Sequence, residues 1–262
     1  GDHPDLHIVD RLQRQMCIRD RHKNMAEHKT AEILNLITPE AKSVMEHIWF
    51  TADLHHAHPK IVDICNRPVY LDPKDLEGIP DDQRNMNNKW YKEMIDKAHT
   101  EWLIKDVFNK WVGKRDTVYL LGDVTFARSG DCDKFLDRLN GNKFLILGNH
   151  DRNIEKSTRF SQITQRKNFS FSQFGLNIHI VLDHFPMASW DRKPHGSWHL
   201  YGHVHGRFKM PGLTFDVGID NSEIHQFPGG GWRPINLYEV AQIMSKKAQE
   251  GIEEEIDYTK AR

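Results

Sequence analysis

The sequence predicts an α/β protein in which two sheets pack together, with helices outside them, as one domain. Three observations support this prediction. Apolar runs alternate with helical patterns in the first half of the chain, β-rich runs dominate the second half, and a capped helix follows near the end. The chain has 262 residues, of which 38% are hydrophobic, so it can bury a sizeable core.

Short apolar runs predict three strands in the first half. The run Ile48–Ala52 is followed directly by Asp53, and Thr117–Leu121 and Lys143–Leu147 have a similar composition. Each run has the length of a buried strand and is flanked by polar or turn-forming residues. We therefore expect these strands to alternate with helices in one sheet.

Apolar periodicity predicts the helices between these strands. From Met86 to Trp111, apolar residues recur every four positions, which indicates one long helix or two consecutive ones. A second helix is expected from about Asp131 to Asn140, where Gly141 ends it. The predicted apolar face of this helical region consists of Met86, Trp90, Met94, Ala98 and Trp102, and it is widened by Ile95, Leu103 and Phe108.

The second half of the chain has a different period. The segments Asn168–Phe185 and Trp198–Gly218 contain short β-rich runs separated by turns, which indicates a second sheet. Near the end, Asn236 and Glu239 have the spacing of a capping box and predict the start of a helix. After Ser245 the sequence becomes a charged tail.

The N-terminal segment shows neither a helical stripe nor strand alternation. Its run Met16–Arg21 is similar to a translated adapter sequence, which points to a natural start at Met25. We therefore interpret residues 1–24 as a non-native, a disordered or an ordinary N-terminal extension. The predicted single domain spans residues 25–262.

Composition excludes several classes of protein. Lys and Arg number 36 against 37 Asp and Glu, so the chain has no overall basic excess for nucleic acid or anionic membranes. No apolar stretch is long enough to span a membrane. The three cysteines are too few for a disulfide framework, which favours a reducing compartment and a cytoplasmic location.

Five short polar motifs follow strand-like runs. They are Asp53–His55 (DLH), Gly122–Asp123 (GD), Gly148–Asp151 (GNHD), Asp183–His184 (DH) and Gly202–Gly206 (GHVHG). In open α/β sheets, ligand sites lie at the carboxyl ends of the strands. Carboxylates, imidazoles and a carboxamide without thiolates suit Mn²⁺, Fe or Zn²⁺ better than a soft metal. The motifs therefore predict a metal site at the strand ends.

The order of these motifs resembles the calcineurin-like metallophosphoesterase superfamily. Three other segments, Cys65–Pro68, Asp116–Tyr119 and Asp216–Asp220, are similar to its small bacterial and phage members. The similarity covers roughly residues 46 to 236. It implies a four-layer α/β/β/α sandwich of two mixed sheets flanked by helices, with two divalent ions at one end of the sheets. Mn²⁺ is favoured, with Fe, Zn²⁺ or Ni²⁺ as alternatives. The resemblance implies that one metal is held by Asp53, His55 and His205 and the other by Asn149, His184 and His203, with Asp123 bridging them.

The resemblance also implies roles for residues beside the metals. His150 would face the substrate as a proton donor to the leaving oxygen or as a charge stabiliser, and Asp151 would orient His150 or cap the following turn. His58 would contact the substrate. Arg152 and Arg207 are candidates for binding phosphate oxygens, because guanidinium groups suit them, although either could be a solvated surface charge.

The motifs favour a phosphodiesterase that uses a metal-bound hydroxide. The segment Gly122–Phe126 lacks the arginine of protein Ser/Thr phosphatases, and His150 stands where lipid A-pathway pyrophosphohydrolases have arginine. A small nucleotide-type or cyclic phosphodiester is the favoured substrate. The alternatives are a phosphomonoesterase or a nuclease of the same superfamily, and a non-catalytic interaction module on this fold. The near-zero net charge is unfavourable for the nuclease.

Overall fold

Two β-sheets carry the fold. The computed structural model describes residues 28–260. The prediction of an N-terminal extension over residues 1–24 lies outside this range. Within the described range the strands are β1 (Ile48–Thr51), β2 (Thr117–Leu121), β3 (Asn142–Ile146), β4 (Gln162–Thr164), β5 (Arg166–Phe171), β6 (Ile178–Asp183), β7 (Trp198–Tyr201), β8 (Thr214–Asp216) and β9 (Ile235–Asn236).

Both sheets are mixed, as the resemblance implies. The first has the order β4-β3-β2-β1-β9, in which β1 to β4 are parallel and β9 is antiparallel to β1. The second has the order β5-β6-β7-β8, in which only β5 is antiparallel to its neighbour. A parallel bridge between Ala52 and Gly218 joins the segments that follow β1 and β8. The two sheets therefore meet at the carboxyl ends of these strands.

The side chains of the first sheet alternate between two hydrophobic cores. Phe50 and Tyr119 belong to the core that also contains Ile180 of β6 and thus lies between the sheets. Trp49 and Val118 belong to a second core on the other face. Successive strand residues point to opposite faces, so the sheet is covered on both sides, as is usual for parallel strands.

Helices flank the sheets and give the predicted α/β architecture. They are α1 (Ile33–Leu36), α2 (Pro39–Met45), α3 (Ile61–Ile64), α4 (Lys89–Trp102), α5 (Ser129–Arg138), α6 (Ser222–His225) and α7 (Leu237–Lys260). Helix α4 continues as a π-helical segment over Leu103–Phe108. The predicted apolar face is confirmed in part. Ile95, Leu103 and Phe108, which widen it, are buried, whereas Trp90 is 40% exposed and the buried residues of α4 also include His99.

The capping box at the start of α7 is confirmed. The side chain of Asn236 accepts a hydrogen bond from the backbone N–H of Glu239 at 3.0 Å, and the Glu239 carboxylate accepts one from the backbone N–H of Asn236 at 3.0 Å. The charged stretch after Ser245 forms the later part of this helix. None of the helices in the described range has the length and apolar character needed to span a membrane.

Candidate metal centre

The five polar motifs meet at one edge of the sheets. Asp53–His55 follows β1, Asp123 follows β2 and Gly148–Asp151 follows β3, while His184 follows β6 and Gly202–Gly206 follows β7. Strands β1, β2 and β3 are parallel to each other, as are β6 and β7. Their carboxyl ends therefore lie together, which brings all seven predicted metal ligands to the same region.

A first group of possible ligands consists of Asp53, His55 and His205, whose ligand atoms all lie within 4.8 Å of one another. Asp53 is completely buried, and its Oδ2 accepts a hydrogen bond from the backbone N–H of His203 at 2.9 Å. Within the described residues, Asp53 Oδ1 and both ring nitrogens of His55 are buried without a hydrogen-bond partner. Each unpaired buried polar atom costs about 1–3 kcal/mol, so a coordinated cation would remove this penalty.

A second group consists of Asp123, His184 and His203, whose ligand atoms also lie within 4.8 Å of one another. His184 donates from Nδ1 to the carbonyl of Leu121 at 2.8 Å. A carbonyl only accepts, so Nε2 of His184 keeps a free lone pair. Oδ1 of Asn149 lies 3.1 Å from that nitrogen. A cation bound by both atoms would satisfy two acceptors that otherwise face each other.

Asp123 lies between the two groups. Its Oδ2 is 3.7 Å from Nε2 of His55 and 3.6 Å from Nε2 of His184. Its Oδ1 accepts a hydrogen bond from the backbone N–H of His150 at 2.9 Å. One carboxylate oxygen is thus adjacent to a ligand of each group, which is the position of a bridging ligand.

The electrostatics of the centre favour bound cations. Burial, reinforced by the carboxylates of Asp216 and Asp123, raises the pKa of Asp53 well above its ordinary value. Burial lowers the pKa of His55 to about 2, so its imidazole is neutral. Metals bind carboxylates and neutral imidazoles, and a cation beside Asp53 would stabilise its ionised form. The residues present therefore fit two divalent ions of the kind that prefer oxygen and nitrogen ligands.

Much of this centre is built on left-handed backbone. Positive φ angles between 51° and 72° occur at Asp53, His55, Asp123, His203 and His205. Residues other than glycine adopt this conformation uncommonly, Asp and His more often than most, and strained residues of this kind cluster at functional sites. The strain is consistent with ligands that are held in place before a metal binds.

Two glycines of the motifs are required by close approach. A Cβ atom at Gly148 would lie 2.6 Å from the backbone nitrogen of Asp123, and one at Gly202 would lie 2.7 Å from Oδ2 of Asp53. Neither clash is relieved by rotating a flexible side chain, because both neighbours are fixed by hydrogen bonds. These glycines let the motif loops pack directly against the ligands.

The match to a known family agrees with this geometry. Residues 46–193 match the family of calcineurin-like phosphoesterases, which is more than half of the chain. The chain belongs to this family. The matched segment contains the first four motifs.

Relatives of this phosphoesterase occur in phages and archaea. It is 27% identical over 208 residues to the gene 66 protein of Mycobacterium phage D29, covering 67% of this chain and 89% of the phage protein. It is 24% identical over 213 residues to the uncharacterized protein MJ1445 of Methanocaldococcus jannaschii, covering 77% and 93%. A solved structure, the protein of unknown function AQ665 from Aquifex aeolicus, is 20% identical with a TM-score of 0.47, covering 75% and 98%.

His150 and His58 lie beside the first group of this phosphoesterase. Their rings are 6.0 Å and 5.9 Å from the ring of His55, measured between centroids. Phe126 contacts both, with centroid distances of 4.5 Å to His150 and 4.6 Å to His58. His150 is exposed, and burial lowers the pKa of His58. The structure thus brings the predicted proton donor and the predicted substrate contact to the same side of the centre.

Within the described residues, the side chain of Asp151 accepts hydrogen bonds from backbone groups and not from the ring of His150, which it was predicted to orient. It is completely buried, and its carboxylate accepts hydrogen bonds from the backbone N–H groups of Asp123 and Gly148 at 2.8 Å and of Val124 at 2.9 Å. These bonds join the loops after β2 and β3. Asp151 therefore holds the backbone that carries the ligands, which is closer to the predicted cap of a turn.

The two arginines predicted to bind phosphate have different surroundings. Arg152 is exposed on a 3₁₀ turn directly after the GNHD motif. Arg207 is exposed too, but its guanidinium donates to the carbonyl of Ile64 at 3.0 Å. Arg207 therefore ties the last motif to the C-terminal end of α3.

Three residues near the centre are missing from the predicted site. Arg67 and Asp220 are buried and paired with each other at 2.8 Å, and the exposed ring of Phe185 packs against His184 and His203. The segments around Arg67 and Asp220 resemble those of bacterial and phage phosphoesterases in sequence, but no sequence rule identifies their partners. Phe185 follows the DH motif directly, and its exposure is visible only in the structure.

Proposed function

We propose that this chain is a phosphodiesterase that uses two divalent ions, with Mn²⁺ as the favoured metal. The observation that carries the proposal is the position of Asp123 Oδ2, 3.7 Å from His55 Nε2 and 3.6 Å from His184 Nε2. A carboxylate between two sets of ligands is typical of two-metal sites that act on phosphoesters. Asp53, His55 and His205 would hold one ion and Asn149, His184 and His203 the other.

The residues of the chain would divide the work of hydrolysis. Two bound ions would supply charge for the phosphoryl oxygens and lower the pKa of a bound water molecule. His150 would protonate the leaving ester oxygen, because its ring is exposed and its backbone is anchored to Asp123. His58, packed against Phe126, would contact the substrate on the same side. Arg152 and Arg207 are further candidates for binding phosphate oxygens.

An exposed aromatic ring supports a nucleotide-type substrate. Phe185 is 44% exposed, and the centroid of its ring lies 4.9 Å from that of His184 and 4.7 Å from that of His203. Both histidines belong to the second ligand group. An apolar ring held there can stack on a nucleobase or an aryl ester arm, which is worth about 1–3 kcal/mol per base.

The alternatives make different demands on the site. A phosphomonoesterase would use the same metals but would have no use for an aromatic surface that binds a second ester arm. A nuclease would need a basic surface, whereas the formal net charge is −1. An interaction module would not need a ligand at each of the seven positions.

A cytoplasmic location of the protein remains a prediction.

Hydrolysis of two model substrates tests the proposal. Metal-stripped protein is assayed with bis(p-nitrophenyl) phosphate and p-nitrophenyl phosphate, before and after addition of Mn²⁺, Fe²⁺, Zn²⁺ or Ni²⁺. We expect turnover only with metal and faster hydrolysis of the diester. Preference for the monoester would indicate a phosphatase, and inactivity with every metal would indicate a non-catalytic module. The Asp82→Asn variant removes an exposed acid on a separate turn. It should therefore show the same metal dependence and the same preference for the diester as the wild-type protein.

A further inference from the structure

Arg67 is a buried arginine whose guanidinium group is fully engaged. Arg67 is 4% exposed. It donates to the backbone carbonyls of Asp53 and Leu54 at 2.6 and 2.7 Å and to both carboxylate oxygens of Asp220 at 3.0 and 2.8 Å. Its Nη1, which donates to Leu54, also lies 2.9 Å from Nε2 of His99. Arg67 therefore contacts the loop after β1 and the segment after β8 simultaneously.

Asp220 connects Arg67 to a metal-ligand histidine. Its Oδ2 accepts a hydrogen bond from Nδ1 of His205 at 2.7 Å. That bond leaves the lone pair of the His205 ring on Nε2, the remaining nitrogen. A carboxylate that hydrogen-bonds a histidine in this way fixes the tautomer and the ring orientation of a metal ligand. Cys65 lies 3.6 Å from the same Nδ1 atom, but the shorter bond to Asp220 determines where the proton resides.

We infer that Arg67 is a positioning residue for the first metal, because it fixes both Asp53 and, through Asp220, His205. The two ligands come from motifs that are far apart in the chain, and Asp220 lies 153 residues from Arg67. One planar guanidinium spans this gap by binding a carboxylate in a bidentate manner and two carbonyls. The inference rests on the proposed metal binding, but not on the identity of the substrate.

Lysine is a poor substitute for arginine at this position. It keeps the positive charge but has a single ammonium group, so it cannot bind both oxygens of Asp220 and both carbonyls in the same plane. We expect Arg67→Lys to leave His205 and the Asp53 loop less well positioned. Loss of such outer contacts typically weakens metal affinity about 10- to 100-fold.

Calorimetric titration of the metal-stripped 262-residue protein with Mn²⁺ tests this inference. Arg67→Lys and Asp220→Asn should each weaken one of the two Mn²⁺ binding steps about 10- to 100-fold and the other much less. Arg233→Lys is the matched control, because Arg233 is also a buried arginine with a bidentate carboxylate, Glu239, but within the described residues it donates its hydrogen bonds to Glu239 and Pro234, outside the ligand loops. It should lower the melting temperature without changing either binding step.

The double variant separates positioning from ordinary stabilisation. If Arg67 acts through Asp220, combining Arg67→Lys with Asp220→Asn should lose less affinity than the product of the two single effects. Wild-type Mn²⁺ affinity in a folded Arg67→Lys or Asp220→Asn variant, with only a lower melting temperature, would overturn the inference. If the wild-type protein itself binds no Mn²⁺, both the proposed function and the role of Arg67 fail. If the wild-type protein binds two ions and both variants keep its affinities, only the role of Arg67 is refuted.

Discussion

Oδ2 of Asp123 lies 3.7 Å from Nε2 of His55, although the two residues belong to loops after different strands. The same oxygen is 3.6 Å from His184 Nε2 in the second ligand group. Parallel pairing of β1 with β2 brings the two loops to the same edge. The bridging position of Asp123 is therefore a direct consequence of the sheet topology.

Replacement of Asp123 by asparagine should weaken both metal sites together. Asparagine keeps the shape of the side chain but loses the negative charge that faces both groups. We expect metal analysis to show a loss of both ions and turnover to become undetectable. Loss of only one ion, or of none, would contradict the bridging role, and Asp82→Asn should retain the wild-type metal content.

Replacement of His150 by alanine should slow catalysis and leave the metals in place. The hydrogen bond of His150 to Asp123 is made by its backbone N–H, which alanine retains. Loss of a general acid should lower turnover about 10²- to 10⁴-fold. The loss should be smaller for p-nitrophenyl esters than for alkyl esters, because p-nitrophenolate leaves without protonation. A metal-depleted His150→Ala protein, or equal losses for both ester types, would refute the role of proton donor.

Removal of the Phe185 ring should impair binding of substrates with a nucleoside arm. Thymidine 5′-(p-nitrophenyl phosphate) and methyl p-nitrophenyl phosphate share a leaving group but differ in the second arm. In Phe185→Ala we expect KM to rise about tenfold for the thymidine ester, as stacking energies suggest, and to change little for the methyl ester. Phe174→Ala is the control, because Phe174 is 45% exposed and precedes β6, whereas Phe185 follows it. Equal changes for both esters would argue against stacking.

Replacement of Asp151 by asparagine should destabilise the loops that carry the ligands. The carboxylate accepts three backbone hydrogen bonds, and asparagine offers one acceptor oxygen and an NH₂ group that faces donors. We expect a loss of about 1–3 kcal/mol in the free energy of unfolding, measured with urea, together with weaker Mn²⁺ binding.

Asp116→Asn serves as a matched control for Asp151→Asn. Its buried carboxylate also accepts hydrogen bonds, from Trp49 and from the backbone of Gly113 at 2.8 Å, but away from the metal centre. The control should be destabilised while its Mn²⁺ affinity is unchanged. Wild-type stability of Asp151→Asn would show that the three backbone bonds contribute little.

Local patterns were sufficient to predict most of the strands. The run Thr117–Leu121 forms β2 with the predicted bounds, and β3 begins one residue before its predicted start. Strands β4 and β9 have three and two residues, which is too short for a periodic signal. They form because the edges of the first sheet are available for pairing. On α4 the buried residues are Ile95 and His99. Packing against the neighbouring elements, rather than the apolar repeat alone, determines which face of the helix is buried.

The candidate ligands were predictable because each follows a strand within a short motif. The residues that support them were not, because their partners are distant in sequence. Arg67 and Asp220 are 153 residues apart, and Asp151 binds the backbone of Asp123, 28 residues away. Such contacts depend on which strands become neighbours, and no local pattern records them.

Stepwise addition of Mn²⁺ to the metal-stripped protein tests the central claim most directly. Electron paramagnetic resonance and hydrolysis of bis(p-nitrophenyl) phosphate are followed in the same samples. We predict that each chain binds two ions whose spins are coupled through the Asp123 carboxylate, and that turnover rises as the second ion binds. Turnover without metal, full activity with a single ion or two uncoupled ions would contradict the account.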